Sequence, residues 1–240
     1  MAKIHFVLQA KGGVGKSTIS SLLAQYKKSK GEAITCIDTD QLNASFNAYK
    51  ALNVIHLQLL EDEQINPRNF DKLIEIISDV EDDVIIDNGA STFFPLSHYL
   101  ITNEIPELLE SMGHKAVIHT IITAGQALLD TLNALNSLVK SFGKNCEIIV
   151  WLNPFWGNIE YNGKSFTEMA VYKNNKDSIN TVIELPKLAQ DTFSSDLAEM
   201  LQNRQTFTEG IEDEKNPIMV RQRLKIIQSK IYALLDQAGV

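Results

Sequence analysis

The sequence predicts an α/β fold three layers deep, with a mostly parallel central sheet and helices on both faces. Three observations carry this. Short apolar runs alternate along the chain with segments of helical periodicity. The runs lack the polar alternation of a half-exposed sheet, so both faces of their strands are expected to be covered. No interval between them has the Pro, Gly or Ser content of a linker, so residues 1–240 read as one domain.

The elements follow in order. Residues 4–10 form the first apolar run, which ends in Lys11-Gly12-Gly13-Val14-Gly15. Residues 17–30 place Ile19, Leu22, Leu23 and Tyr26 at helical spacing, and Gly31 stops that helix. Residues 34–37 are a second buried strand, closed by Asp38-Thr39-Asp40. A short helix is expected near 45–52, then an edge or connecting strand at 54–59. Phe70, Leu73, Ile74 and Ile77 mark a helix over 69–78. Val84-Ile85-Ile86 is a third apolar run, ending at Asp87. Residues 96–112 read as helical with an interruption around Pro106, and 116–122 as a strand. Leu128, Leu132, Leu135, Leu138 and Val139 mark the next helix, and 147–152 the strand before Asn153-Pro154. The polar stretch 158–178 carries Phe166, Met169, Ala170 and Tyr172 and reads as a helical insertion. Residues 181–185 are the last strand, ahead of Pro186, and helices over about 188–202 and 218–237 close the chain.

Composition narrows the function. A formal charge of −8 disfavours a basic footprint for nonspecific DNA binding. No apolar stretch approaches the roughly 20 residues that span a bilayer. The N-terminus runs straight into a strand pattern without a signal-peptide core, so a cytoplasmic location is expected. Cys36 and Cys146 are far apart and each lies in an apolar run, as buried thiols rather than a metal pair. His98, His114 and His119 have no metal spacing with either Cys and read as structural.

The sharpest chemical signal is Lys11-Gly12-Gly13-Val14-Gly15-Lys16-Ser17-Thr18 between a strand and a helix. Glycines let backbone N–H groups curl round phosphate oxygens. Lys16 is in register to reach β and γ phosphates, Ser17 to offer its hydroxyl to Mg²⁺, and the following helix adds its positive end. Ala10 stands where the strict pattern has Gly, which costs little if φ there is negative. Val84-Ile85-Ile86-Asp87 matches the companion Walker B strand, whose terminal carboxylate faces hydrated Mg²⁺. The alternative for Asp87 is a helix cap. Asp38 and Asp40 stand at the carboxyl end of the second strand, where ligands bind in such sheets. Their alternative is also a capping pair.

These residues resemble the deviant Walker A motif of the ParA/MinD family of P-loop ATPases. The resemblance implies a three-layer P-loop NTPase fold and ATP with Mg²⁺ as ligands. It implies that Lys11 is the signature lysine, reaching across a nucleotide-sandwich homodimer to the partner's phosphates, where a second cation acts like an arginine finger. It gives Asp40 the role of positioning the attacking water. Asp38 falls to the surroundings of Mg²⁺, beside Ser17 and Asp87. Asn153 would hydrogen-bond adenine, with Pro186 lining the other side. GTP readers use Asn-Lys-x-Asp, and the nearest string here, Asn175-Lys176-Asp177, lacks that spacing. The family often reads Asp-Pro-Gln from the second acid and follows the Walker B Asp with residues ending in Pro-Pro or Pro-Ala-Gly, whereas here the chain reads Asp40-Gln41-Leu42 and Asp87-Asn88-Gly89-Ala90-Ser91. Gly89 still allows a switch movement there. Phe93-Phe94, next in the chain, is read as core, the alternative being a partner-facing knob.

Strings along nearly the whole chain are similar to TraL-type conjugal transfer proteins. They include Gln25-Tyr26-Lys27, Pro95-Leu96-Ser97-His98-Tyr99-Leu100, Gly125-Gln126-Ala127-Leu128-Leu129-Asp130 and Trp151-Leu152-Asn153-Pro154. The resemblance implies a slowly hydrolysing, dimeric ATPase switch in plasmid conjugation that recruits a component of the DNA-processing complex or secretion channel. A partition ATPase on nucleoid DNA, a nucleotide-dependent scaffold with little hydrolysis and, remotely, a small-molecule kinase are the alternatives. Residues 216–238 carry an apolar stripe expected to dock on the domain rather than on a membrane.

Overall fold

The computed structural model describes residues 1–62 and 64–240. Its elements in chain order are β1 (Lys3–Val7), α1 (Lys16–Ser29), β2 (Ile34–Asp38), β3 (Ile55–His56), β4 (Leu60–Glu61), β5 (Gln64–Ile65), α2 (Asp71–Ser78), β6 (Asp83–Asp87), α3 (Phe93–Thr102), α4 (Ile105–Ser111), β7 (Lys115–Thr123), α5 (Leu128–Phe142), β8 (Glu147–Asn153), β9 (Glu160–Tyr161), β10 (Lys164–Ser165), α6 (Ala170–Asn175), β11 (Thr181–Glu184), α7 (Ser195–Gln202), α8 (Phe207–Glu212) and α9 (Ile218–Ala238).

Seven strands form one sheet in the order β11-β8-β7-β1-β6-β2-β3, and every pairing in it is parallel. The strands are buried on both sides, as their unbroken apolar runs require. Ile4, Phe6, Val84, Ile86, Ile118 and Val150 pack beneath α2, α3, α4 and α5. On the opposite face Val7, Ile85, Val117, Ile121, Ile149 and Trp151 pack beneath α1, α8 and α9. The chain leaves β1 for β2, beyond β6, and later enters β7 on the other side of β1. That reversal opens a crevice at the carboxyl end of β1, the place where ligands bind in such sheets.

The fold departs from the sequence reading in its connections. There is no helix over 45–52. Turns occupy 45–48, and one 3₁₀ turn, Lys50–Leu52, follows. Phe46, Tyr49 and Leu52 are buried at helix-like spacing, but the Asp38 carboxylate takes the amides of Phe46 and Asn47 and bends the chain inward. The break near Pro106 falls at Asn103-Glu104, and Pro106 begins the next helix. The insertion at 158–178 holds the antiparallel β9–β10 hairpin before its short helix. The short helix α8 was not foreseen, and a Thr206–Glu209 capping box starts it. Phe93 is core, but Phe94 is 71% exposed, which corrects the reading of both as core. In α9, Leu224, Ile227, Ile231 and Leu235 are buried against the sheet face that carries α1. Among the described residues no helix is long and apolar enough to cross a membrane. Burial pushes both thiols, Cys36 and Cys146, up to about 12, so neither is primed as a nucleophile.

A buried polar chain crosses the α1 face of the sheet. Trp151 Nε1 donates to His119 Nδ1 at 2.9 Å, and His119 Nε2 lies 2.9 Å from His5 Nδ1. An indole N–H can only donate. His119 therefore carries its proton on Nε2 and gives that hydrogen bond to His5, whose own proton sits on Nε2. That atom faces Asp83 Oδ2 at 3.7 Å, beyond hydrogen-bond range, and Lys27 holds Asp83 at 2.7 Å. Burial keeps both imidazoles below their ordinary pKa. The stability these neutral groups contribute is fully present above about pH 6.5 and is lost as pH falls from there through their lowered folded values. Imidazole ¹⁵N NMR at pH 6 should therefore find His5 and His119 neutral, each as the Nε2–H tautomer. An ordinary titration near 6.5, or an Nδ1–H signal, would contradict the network.

Candidate functional site

The loop between β1 and α1 opens the site. Lys11, Gly12 and Gly13 are exposed, while Val14 and Lys16 are buried. Ala10 is not among the positive-φ residues, so the strand exit tolerates its methyl group. Gly15 heads α1 with φ 105°, and a Cβ there would stand 3.0 Å from Asn153 Nδ2. Conformation and space both demand glycine at this position. No side chain caps the N-terminus of α1, so the free amides of its first turn, Ser17 and Thr18 included, face outward with the positive end of the helix. Lys16 Nζ donates to the Lys11 carbonyl at 3.0 Å, which curls the ammonium over the loop. Burial lowers the Lys16 pKa, against the pull of Asp87 and Asp40.

Asp87 ends β6 and is 1% exposed. Ser17 Oγ donates to its Oδ2 at 2.6 Å and Ser20 Oγ to its Oδ1 at 2.8 Å. Burial pushes this carboxyl up to about 7, the charge of Asp38 adds to the rise, and the two hydroxyls and Lys16 oppose it. It is not a helix cap. Ser20 was not singled out from sequence. Its spacing from Ser17 places both hydroxyls on one helix face, which is the signal that finds it.

Asp38 is fully buried. Its Oδ1 accepts from the Asp40 amide at 2.9 Å, and its Oδ2 accepts from Phe46 at 3.0 Å and Asn47 at 2.9 Å. Burial raises its pKa while the amides of Asn47 and Asp40 pull it down. Its direct partners are therefore the loop it organises. Asp40 is half-buried, and its Oδ1 accepts from the amides of Leu42 at 3.0 Å and Asn43 at 3.1 Å. Its Oδ2 accepts nothing among the described residues. Both acids cap a loop, with no helix behind it.

Asn153 ends β8. Its Nδ2 donates to the Val14 carbonyl at 3.0 Å and its Oδ1 accepts from Phe155 at 3.2 Å. Its amide thus braces the phosphate loop. Pro186 stands level with it, one residue after the Leu185 amide that donates to Leu152 on β8. Lys11 Nζ pairs with Asp130 Oδ2 at 2.9 Å, both half-exposed, and Asp130 lies in the first turn of α5. No local sequence signal joins those two residues. Around this edge stand exposed apolar side chains: Leu42 after β2, Phe94 after β6, Leu129 after β7, and the edge-to-face pair Phe155 and Trp156 after β8.

The residues fit a magnesium nucleotide. The Ser17 hydroxyl and Asp87 carboxylate are hard oxygen donors already in contact, and Mg²⁺ is taken by one or two such groups together with substrate phosphates. Two amines, one buried and one exposed, border the loop above them. Among the described residues no three His, Cys, Asp or Glu side chains form a cage for any other metal.

The CobQ/CobB/MinD/ParA nucleotide binding domain matches residues 5–220. Two Escherichia coli proteins described as protein TraL are each 52% identical over 240 residues, covering all of this chain and all of each relative. Among solved structures, the cell division ATPase MinD of Pyrococcus furiosus matches with a TM-score of 0.56 at 15% identity over 99% of both chains. At that identity the likeness is one of fold.

The state of Asp87 can be tested directly. A rise from 3.8 to about 7 corresponds to roughly 4 kcal/mol. The protonated group is well accommodated in the fold, so this stability is present below about pH 4 and is lost as pH rises to 7. Asp87→Asn should therefore raise the melting temperature of the nucleotide-free protein at pH 8 by several degrees, with a much smaller change at pH 4, and should remove Mg²⁺-dependent tightening of nucleotide binding. Equal melting at pH 8, measured by calorimetry, would contradict the buried, strained carboxylate.

Proposed function

The chain belongs to the CobQ/CobB/MinD/ParA nucleotide-binding family, and from that premise we propose that it is a Mg-dependent ATPase switch that closes as a homodimer. The whole chain, 1–240, is the working unit, with 216–238 docked on it. The process we propose is conjugal plasmid transfer, on the strength of 52% identity to protein TraL over the full length. The protein it recruits belongs to the DNA-processing complex or secretion channel, and its place of action is the cytoplasm. Direct DNA binding is not part of the proposal, since the net charge is −8.

One observation carries the mechanism: the two lysines of the loop are in opposite environments. Lys16 is buried and curls over its own loop. Lys11 is exposed and points away to Asp130. Its own subunit's phosphates are served by Lys16, the loop amides and the end of α1. An exposed ion pair is worth under about 1 kcal/mol, so Lys11 gives up Asp130 readily for the denser charge of a triphosphate. A second copy of the chain fits the surrounding apolar ring of Leu42, Phe94, Leu129, Phe155 and Trp156. Such a face buries against its own image about a two-fold axis, which brings each Lys11 to the opposite site.

In the closed form Asp40 orients water. Its Oδ1 is fixed by two amides, which leaves Oδ2 to accept a hydrogen bond from the nucleophile. Water attacks the γ-phosphorus, the bond to the β–γ bridging oxygen breaks, and inorganic phosphate and ADP leave. Ser17 and Asp87, with Asp38 behind them, are the residues that would hold Mg²⁺, which when bound would neutralise charge on the phosphates. Lys16 and the partner's signature lysine stabilise the charge that develops on the transferred group. In this reading Asn153 and Pro186 frame the adenine, Asn153 exchanging its brace on Val14 for the base.

Light scattering of Lys11→Ala and Lys16→Ala in Mg-ATP and in Mg-ADP tests the assignment. Lys16→Ala should bind neither nucleotide tightly and stay monomeric. Lys11→Ala should bind ADP like the wild type yet fail to dimerise in ATP, with hydrolysis reduced at least tenfold. Wild-type dimer fractions in Lys11→Ala would remove the sandwich mechanism and leave an ordinary P-loop ATPase.

A further inference from the structure

The two loops bearing the acids are joined by contacts that the nucleotide site does not itself require. Thr39, fully buried between Asp38 and Asp40, donates its amide and its hydroxyl to the Asp87 carbonyl, each at 2.9 Å. The same hydroxyl lies 3.1 Å from Asn88 Oδ1, which also accepts from Thr92 at 2.6 Å. Asn88 Nδ2 donates to the Gly89 carbonyl at 3.0 Å, so every polar atom of this buried side chain is used to hold the turn.

Gly89 completes the joint. Its φ is not in the left-handed region, so its backbone would accept any residue. The demand for glycine is spatial. A Cβ at 89 would stand 2.6 Å from Asp40 Cγ, 2.7 Å from Oδ1 and 3.0 Å from Oδ2. The carboxylate rests on the bare Cα of Gly89. Asp40 cannot swing aside freely, because its Oδ1 is tied to the amides of Leu42 and Asn43 and its own amide to Asp38.

We propose that Gly89 and Thr39 are positioning residues for Asp40: the turn after β6 forms the seat of its carboxylate, and the Thr39–Asn88 stitch fixes that seat against the loop that carries it. The proposal rests on the reading of Asp40 as the residue that orients water. Any shift of the turn at Asp87–Ala90 then moves Asp40, so that the magnesium side of the site and the water side change together. The phosphate loop runs beside the same turn: a Cβ added at Gly12 would come within 4.0 Å of Ala90 Cβ.

A double-mutant cycle tests this with ATP hydrolysis (kcat and KM), Mg-ATP affinity and melting temperature. The proteins are wild type, Gly89→Ala, Thr39→Val, Asp40→Ala, and each positioning variant combined with Asp40→Ala. Gly89→Ala should lower kcat at least tenfold with Mg-ATP affinity within about threefold of wild type. In the Asp40→Ala background it should change kcat less than twofold, because the atoms that it would strike are gone. Thr39→Val removes the stitch without adding volume and should show the same pattern more weakly, which keeps the test open if Gly89→Ala folds poorly. Unchanged kcat in both variants overturns the proposal. Losses that persist undiminished in the Asp40→Ala background do so too, since the residues would then act on something other than Asp40. Wild-type hydrolysis by Asp40→Ala alone sinks the underlying reading of that acid instead, so the two failures are distinguishable.

Discussion

A carboxylate buried at the end of a central strand is the constraint on which the rest of the site depends. Asp87 is nearly inaccessible, and its side-chain hydrogen bonds come from two hydroxyls rather than a cation. Those hydroxyls belong to the first two turns of α1, so satisfying Asp87 fixes where that helix begins and therefore the shape of the loop before it. The Asp87 carbonyl takes both donors of Thr39, which fixes the exit of β2. One residue of β6 thus sets the mutual position of three loops that are distant in sequence. Burial raises the cost of its charge, and in the function proposed above a divalent cation arriving with phosphates would relieve it.

The same residue type serves two ends here because environment divides the work. Burial draws the Lys16 ammonium onto its own loop, whereas Lys11 stays in water and holds Asp130 only loosely. The polar centre of this edge is closed by its own chain, and the periphery is open and apolar. Phe94, at the start of α3, and Phe155 and Trp156, in the turn after β8, are large side chains left in solvent at this edge. A surface of that kind has its apolar cost removed when a partner covers it.

Much of this was legible in the sequence, for local reasons. Strands buried on both faces betray themselves as unbroken apolar runs, and the phosphate loop is defined by glycine chemistry and by what flanks it. The failures are equally physical. Residues 45–52 carry apolar spacing that fits a helix, but a carboxylate on the preceding strand captures their amides. The fate of Phe94 could not be read from its neighbour, because a helix start puts consecutive residues on different faces. The partnership of Lys11 with Asp130, the brace of Asn153 on Val14 and the seat of Asp40 on Gly89 all join residues whose proximity exists only after the sheet is ordered. The sequence gives Gly89 a part in a switch movement; the structure adds that its bare Cα makes room for a side chain from another loop.

The central claim is that hydrolysis at each site uses a lysine from the opposite subunit, and mixing two defective variants tests it most directly. Lys11→Ala keeps Lys16 and Asp40 but lacks the exposed lysine, and Asp40→Ala keeps the lysine but lacks the acid. Only a mixed dimer with Lys11 acting across the interface assembles one complete site from the two. The account predicts that an equimolar mixture hydrolyses ATP several times faster than the average of the separate variants. A mixture no faster than that average, with mixed dimers demonstrated by native mass spectrometry, would place Lys11 in its own subunit's site and contradict the account.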